Sequence, residues 1–207
     1  MSSTDCCFTK DDEWYRYRTA AIIVEEGSVL FVRSSGCDYL YTVGGGVHVN
    51  ETSEECIKRE VLEETGVPYE IDHLAVVCEN FFTGQNGAFE KLHCHCLEFY
   101  FIMKSRGSKK LGDVTSINAD GCKEVMTWIP IEEFKSTNIK PAFLRDRIKE
   151  IIESKEILHI VTAQDKIDLL RDKKWHTQKK WKLNTSHLMI KTFGIALISI
   201  CLKNNLK

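Results

Sequence analysis

The sequence predicts an α/β protein, a mixed sheet with helices on its faces. Three observations predict it. Runs of apolar and β-branched residues recur along the chain, two stretches carry helical periodicity, and the order is strands, helix, strands, helix.

The elements follow in order. Residues 1–16 are polar and read as an irregular or edge segment. Arg18–Val24 and Ser28–Arg33 are strand runs joined through Glu25-Glu26-Gly27, a hairpin turn. Tyr39–Val43 is a short strand leading into Gly44-Gly45-Gly46. From Thr52 the pattern turns helical, with Ile57, Val61 and Leu62 apolar and a glycine stop at Gly66. Thr52 or Ser53 suits the N-cap, and Glu54 and Glu55 complement the positive helix end. Ile71–Phe82 and Leu92–Lys104 are long strands, and residues 84–87 and 105–121 are loops. Glu124–Ile129 is a strand, Ile131–Phe134 a helical turn, Pro141–Ser154 an amphipathic helix and Ile157–Val161 a last strand.

Composition bounds the function. Of 207 residues, 43% are hydrophobic and 28% charged, enough for a buried core. A net charge of −2 excludes a globally basic nucleic-acid binder. Nine cysteines form an odd set, and the N-terminus has no secretory apolar region, so reduced thiols and a cytoplasmic location are expected. Composition shifts near Ala163, dividing the chain into a domain at 1–163 and an extension at 164–207. That extension carries a basic run with Trp175 and Trp181, then an apolar stretch, Leu188–Leu202. The stretch falls short of the ~20 residues of a membrane span, so membrane contact is not expected.

The chemistry lies between Gly45 and Val67. At 100° per residue, Glu60, Glu63 and Glu64 fall within an arc of roughly 100° on one helix face. Glu60 and Glu64 are a like-charge i,i+4 pair, costing about 0.2–0.5 kcal/mol with no compensating ligand. A hard divalent cation would reverse that cost, because Mg²⁺ takes carboxylate, water and phosphate oxygens. The glycines allow close backbone approach to a ligand, and Arg59 can pair with carboxylates through its fork. Taken singly, each feature has an ordinary reading: a solvated face, a turn, a surface arginine. Their joint spacing does not.

That spacing resembles the Nudix box, Gly-x5-Glu-x7-Arg-Glu-U-x-Glu-Glu-x-Gly-U with U a bulky aliphatic residue. Gly45, Glu51, Arg59, Glu60, Val61, Glu63, Glu64, Gly66 and Val67 fill every fixed position. With the flanking strand order, the resemblance spans about residues 15–162. It implies a Nudix fold, an α/β/α sandwich with a mixed curved sheet and a loop–helix–loop box. It also implies Mg²⁺ (or Mn²⁺) held by Glu60, Glu63, Glu64 and the Gly44 carbonyl, with Gly44, Gly45 and Gly46 along the substrate. Arg59 would hold the carboxylates and Glu51 would brace the loop. The catalytic base lies in the box or outside it, where Glu98 and Glu90 are the candidates. Val43 stands where many Nudix sequences have proline before the glycines.

The expected reaction is hydrolysis of a phosphoanhydride in a nucleoside diphosphate linked to another moiety. Nucleotide sugars or ADP-ribose-like molecules come first, then nucleoside triphosphates. A catalytically inactive nucleotide-binding module and an RNA-end or cap-processing hydrolase are the alternatives. The partner is a small nucleotide, with no stable DNA binding and a homodimer left open. His93-Cys94-His95-Cys96 suggests zinc, but alternation sends histidines and cysteines to opposite faces of a strand. Trp14, Tyr15, Tyr17, Phe81, Phe82, Phe99 and Tyr100 are divided between core packing and a base pocket.

Overall fold

The computed structural model describes residues 4–84, 89–114, 116–117, 121–163 and 180–181. Eleven strands among these residues form two sheets. β1 (Cys7–Lys10), β2 (Glu13–Ile22), β6 (Ile71–Thr83), β7 (His93–Met103), β10 (Ile157–Ala163) and β11 (Lys180–Trp181) make a mixed sheet in the order β1-β2-β7-β6-β10-β11. β2 runs parallel to β7 and β10 parallel to β6, and the other pairs are antiparallel. The second sheet joins β3 (Val24–Glu25), β4 (Ser28–Ser34), β9 (Lys123–Pro130) and β8 (Ser116–Ile117), with β5 (Leu40–Tyr41) against β4.

Strand parity builds the sandwich. Ala20 and Ile22 of β2, Tyr100 and Ile102 of β7 and Val76 of β6 join one core, covered by Phe143, Leu144, Ile148 and Ile151 of α2 (Ala142–Glu153). Their odd-numbered neighbours Ala21, Phe101 and Met103 face the other way, onto Ile57 and Val61 of α1 (Ser53–Thr65). One sheet thus feeds two cores on opposite faces, each closed by a helix. Truncating a fully buried residue such as Ile57 to alanine would cost about 2–5 kcal/mol.

The polar start of the chain is an edge strand. β1 is exposed along its length and pairs with the first half of β2. The expected hairpin forms between β3 and β4, around Glu26 and Gly27 at φ 47° and 71°. Glu25 is fully buried at its entrance. Its carboxylate accepts from the Ser105 hydroxyl and from the backbone N–H groups of Arg106, Gly107 and Ser108.

α1 begins at Thr52, whose hydroxyl accepts from the Glu55 N–H while the Glu55 carboxylate accepts from the Thr52 N–H. It ends at Gly66, at φ 70°. Leu62 differs from the expected apolar stripe: it is half exposed, while Ile57 and Val61 carry the packing. Among the described residues no helix is long and apolar enough to cross a membrane. Most of the extension, including Trp175 and Leu188–Leu202, lies outside the described residues. Within it, Lys180–Trp181 pairs with Ile157–Leu158 of β10.

Candidate active site

The glycine loop is held by β2. Past the reach of β1, the same edge of β2 pairs with residues 43–47: Thr19 N–H donates to the Gly45 carbonyl, Ala21 N–H to Val43 and Val47 N–H to Tyr17. Close approach explains the three glycines. A Cβ at Gly44 (φ 135°) would lie 2.2 Å from the Thr19 carbonyl oxygen, and one at Gly46 2.4 Å from the Asp5 carboxylate. At Gly45 it would enter the Glu60 carboxylate itself. The loop and the acidic helix face therefore touch.

Arg59 sits at the centre of that contact. Its Nε and Nη2 donate to the two Glu51 carboxylate oxygens at 2.8 and 3.0 Å, a bidentate fork. Nη1 donates to Glu60 at 2.6 Å and to Glu63 at 3.2 Å, and Nη2 reaches the Gly46 carbonyl at 3.3 Å. The Arg59 fork, helped by the His48 N–H, holds the Glu51 carboxyl down at about 2. Glu64 stands apart from this cluster and accepts the Gly44 N–H at 3.3 Å. Burial, then the like charges of Glu60 and Glu124, push its pKa up to about 8 against the pull of Arg18. Cys56, one turn before Glu60, is fully buried against Thr19 and Gly46; burial lifts its thiol to about 12, so it is inert near neutral pH.

The structure brings Glu51, Arg59, Glu60 and Glu63 into one network, with Glu64 against the same loop, and separates the two outside candidates. Glu98 is buried on β7 in direct register with Arg18 of β2. It accepts the Tyr100 hydroxyl at 2.6 Å and the Asn80 amide at 3.5 Å. Glu90 lies on the turn before β7 and pairs with Lys91 at 3.6 Å. The start of β7 is level with Glu13, six residues along β2 from Thr19 and hence about 20 Å from the glycine loop.

Arg18 and Glu124 escaped the sequence reading. Arg18 donates to the Thr42 and Gly44 carbonyls at 2.8 and 3.2 Å. Burial works to lower its pKa, but the negative charges around it, Glu98 first and Glu64 among them, leave it raised. A charged residue sharing the inward parity of Ala20 and Ile22 was the available signal. Glu124 of β9 accepts the Tyr41 hydroxyl at 2.5 Å and lies within electrostatic reach of Glu64. It has no local sequence signal, because pairing of β9 with β4 brings it there.

Among the described residues no set of three His, Cys, Asp or Glu side chains forms a ready-made metal cage. The donors nevertheless fit a hard cation: the carboxylates of Glu60 and Glu63 meet at Arg59, Glu64 lies against the Gly44 N–H, and the Gly44 carbonyl adds a neutral oxygen. Mg²⁺ takes one or two carboxylates and fills its remaining positions with water and phosphate oxygens. In β7 the cysteines 94 and 96 are buried while His93 and His95 face the other side.

A family model, the NUDIX domain, matches residues 14–154, more than half the chain. The chain belongs to the Nudix family. As a Nudix hydrolase it is an enzyme acting on acid anhydrides, of a family that generally uses divalent metals. Its fold is similar to that of a MutT protein from Bacillus halodurans (TM-score 0.52, 16% identity, covering 72% of this chain and 92% of that one). A MutT protein from Methanosarcina mazei Go1 gives a TM-score of 0.50 at 21% identity, covering 70% of this chain and 96% of that one. A UDP-X diphosphatase gives 0.49 at 20% identity; the match covers 70% of this Nudix chain and 66% of that one, just under two thirds of its length. Comparison with curated proteins finds no match.

Proposed function

We propose that this Nudix hydrolase cleaves a phosphoanhydride bond in a nucleoside diphosphate linked to a second moiety, using Mg²⁺. Nucleotide sugars and ADP-ribose-like molecules are the first class, nucleoside triphosphates the second. The observation that carries the reading is the Arg59 network, which gathers Glu51, Glu60 and Glu63 around one guanidinium beside the glycine loop.

Glu60, Glu63, Glu64 and the Gly44 carbonyl would hold Mg²⁺ (Mn²⁺ as an alternative), which supplies charge stabilisation for phosphate oxygens and acidifies water. Arg59 fixes Glu60 and Glu63 in orientation, and Glu51 fixes Arg59. Gly44, Gly45 and Gly46 leave the backbone open to the diphosphate. Water attacks phosphorus, its proton passes to Glu60 or Glu64, and the anhydride oxygen departs with the second phosphate. Both Glu98 oxygens already accept hydrogen bonds and Arg18 lies beside it, so Glu98 serves as a positioning residue for Arg18.

A Mg²⁺-dependent hydrolysis panel over nucleotide sugars, ADP-ribose and nucleoside triphosphates tests the reading. Glu60→Gln and Glu64→Gln should lose about 100-fold or more in kcat, as loss of a ligand or proton acceptor does. Glu98→Gln should keep most of it. A folded wild-type protein that binds Mg²⁺ and hydrolyses no member of the panel would sink the proposal.

A further inference from the structure

At Tyr17 the edge of β2 changes partners. Its N–H donates to the Cys6 carbonyl at 3.0 Å, and its carbonyl accepts the Val47 N–H at 3.1 Å. The Cys6 N–H closes the junction by donating to the Val47 carbonyl at 2.7 Å, and the Thr4 carbonyl accepts the Val49 N–H at 2.8 Å. Residues 4–6, ahead of β1, therefore lie antiparallel to residues 47–49, with Asp5 opposite His48. That loop carries the chain from Gly46 to Glu51. Its tip faces solvent: Val49 is 55% exposed, and Asn50 beside it sits at φ 70°.

The Asp5 side chain reaches back over the same loop. Its Oδ2 lies 3.6 Å from Arg16 Nη2 and its Oδ1 3.4 Å from His48 Nε2. His48 Nδ1 lies 3.6 Å from Glu51 Oε2, the oxygen that accepts the His48 backbone N–H and Arg59 Nη2. Gly46 is gripped from both sides. A Cβ on it would come within 2.4 Å of the Asp5 carboxylate, and its carbonyl accepts from Arg59. Asp5, His48, Glu51 and Arg59 thus form one row that ends on Glu60 and Glu63. Ion pairs at the surface add little stability, so the row orders the loop more than it stabilises the fold.

We propose that Thr4–Cys6 is a strap across the active-site loop and that Asp5 is a positioning residue for the proposed phosphoanhydride hydrolysis, the reading on which this inference rests. Two main-chain hydrogen bonds fasten the strap to Val47 and Val49. The Asp5 carboxylate, anchored on Arg16, holds Gly46 and His48. Glu51 is thereby kept on the Arg59 fork, and Arg59 presents Glu60 and Glu63 at a fixed spacing. The strap lies ahead of the Nudix domain at residues 14–154 and is supplied by this chain's own N-terminal segment. Because Asp5 acts through His48, Glu51 and Arg59, its loss falls on turnover rather than on substrate affinity.

Asp5→Ala in the full chain tests this, with Asp5→Glu as the conservative variant. For the panel member hydrolysed fastest, Asp5→Ala should lower kcat about tenfold or more and leave KM within about twofold, as loss of an orienting partner does. Asp5→Glu keeps a carboxylate towards Arg16 and should recover at least about half of kcat. Adding Asp5→Ala to Glu51→Gln should slow turnover by less than about twofold further, because both act through Arg59. Hydrogen exchange followed by NMR gives a readout independent of turnover. The Val49 amide and the Arg59 Nε–H should exchange at least about fivefold faster in Asp5→Ala, while the amides of α2 keep their rates. Wild-type kcat in a folded Asp5→Ala protein overturns the inference whatever the exchange shows, and so does a strictly additive double variant. Faster exchange at Val49 and Arg59 in a chain that hydrolyses no panel member keeps the strap and defeats the hydrolase reading. Unchanged exchange in such a chain defeats both.

Discussion

A methyl group at position 45 would occupy the space of the Glu60 carboxylate, with an added Cβ 2.4 Å from Cδ and Oε1 and 2.6 Å from Oε2. Relief to an ordinary 3.4 Å contact requires the carboxylate to move by about 1 Å. Glu60 is the flexible partner, so the backbone need not shift. Gly45 is not among the glycines at positive φ, so alanine is also tolerated conformationally. Gly45→Ala should therefore leave stability within about 1 kcal/mol of wild type. Displacement of a reacting group by about 1 Å costs about 100-fold in rate. The assay pairs thermal unfolding with Mg²⁺-dependent turnover of a nucleotide sugar or ADP-ribose. Gly44→Ala is the contrasting variant, because its Cβ would meet the Thr19 carbonyl at 2.2 Å from a backbone at φ 135°. It should lose about 2 kcal/mol or more, a Tm fall of roughly 4–8 °C for a domain of this size. Wild-type turnover in a folded Gly45→Ala protein would refute the placement of Glu60 in the chemistry.

Further predictions concern the same network. Arg59→Lys replaces a three-carboxylate fork by a point charge, and kcat/KM should fall about 10–100-fold with the fold intact by circular dichroism. Glu51 has a folded pKa of about 2, below its unfolded value. Its contribution to stability is then fully present above about pH 4.5 and is lost as pH falls towards 2. The stability gap between wild type and Glu51→Gln in urea titrations should narrow over that window; a constant gap would count against the Arg59 fork. Glu25→Gln replaces an acceptor of four hydrogen bonds and should cost about 1–3 kcal/mol in urea unfolding without altering Mg²⁺ affinity. EDTA should abolish turnover, and added Mg²⁺ should restore it; activity that persists in EDTA would contradict the carboxylate assignment.

The local signals in the chain determined the acidic helix, its Thr52 cap, its Gly66 stop and the spacing of Arg59, Glu60, Glu63 and Glu64, because a helix is closed by hydrogen bonds between near neighbours. They also determined the β3–β4 hairpin, whose turn needs positive φ. Strand pairing decided the rest. β2 and the glycine loop lie over twenty residues apart, and only their hydrogen bonds bring Arg18 to Gly44. Glu124 reaches the neighbourhood of Glu64 through β9–β4 register, and Glu98 settles beside Arg18 through β7–β2 register. Period-two alternation says which face a side chain takes, but not which strand lies beside it. The box residues were legible because one helix carries them, and their surroundings were not because pairing between distant strands supplies them.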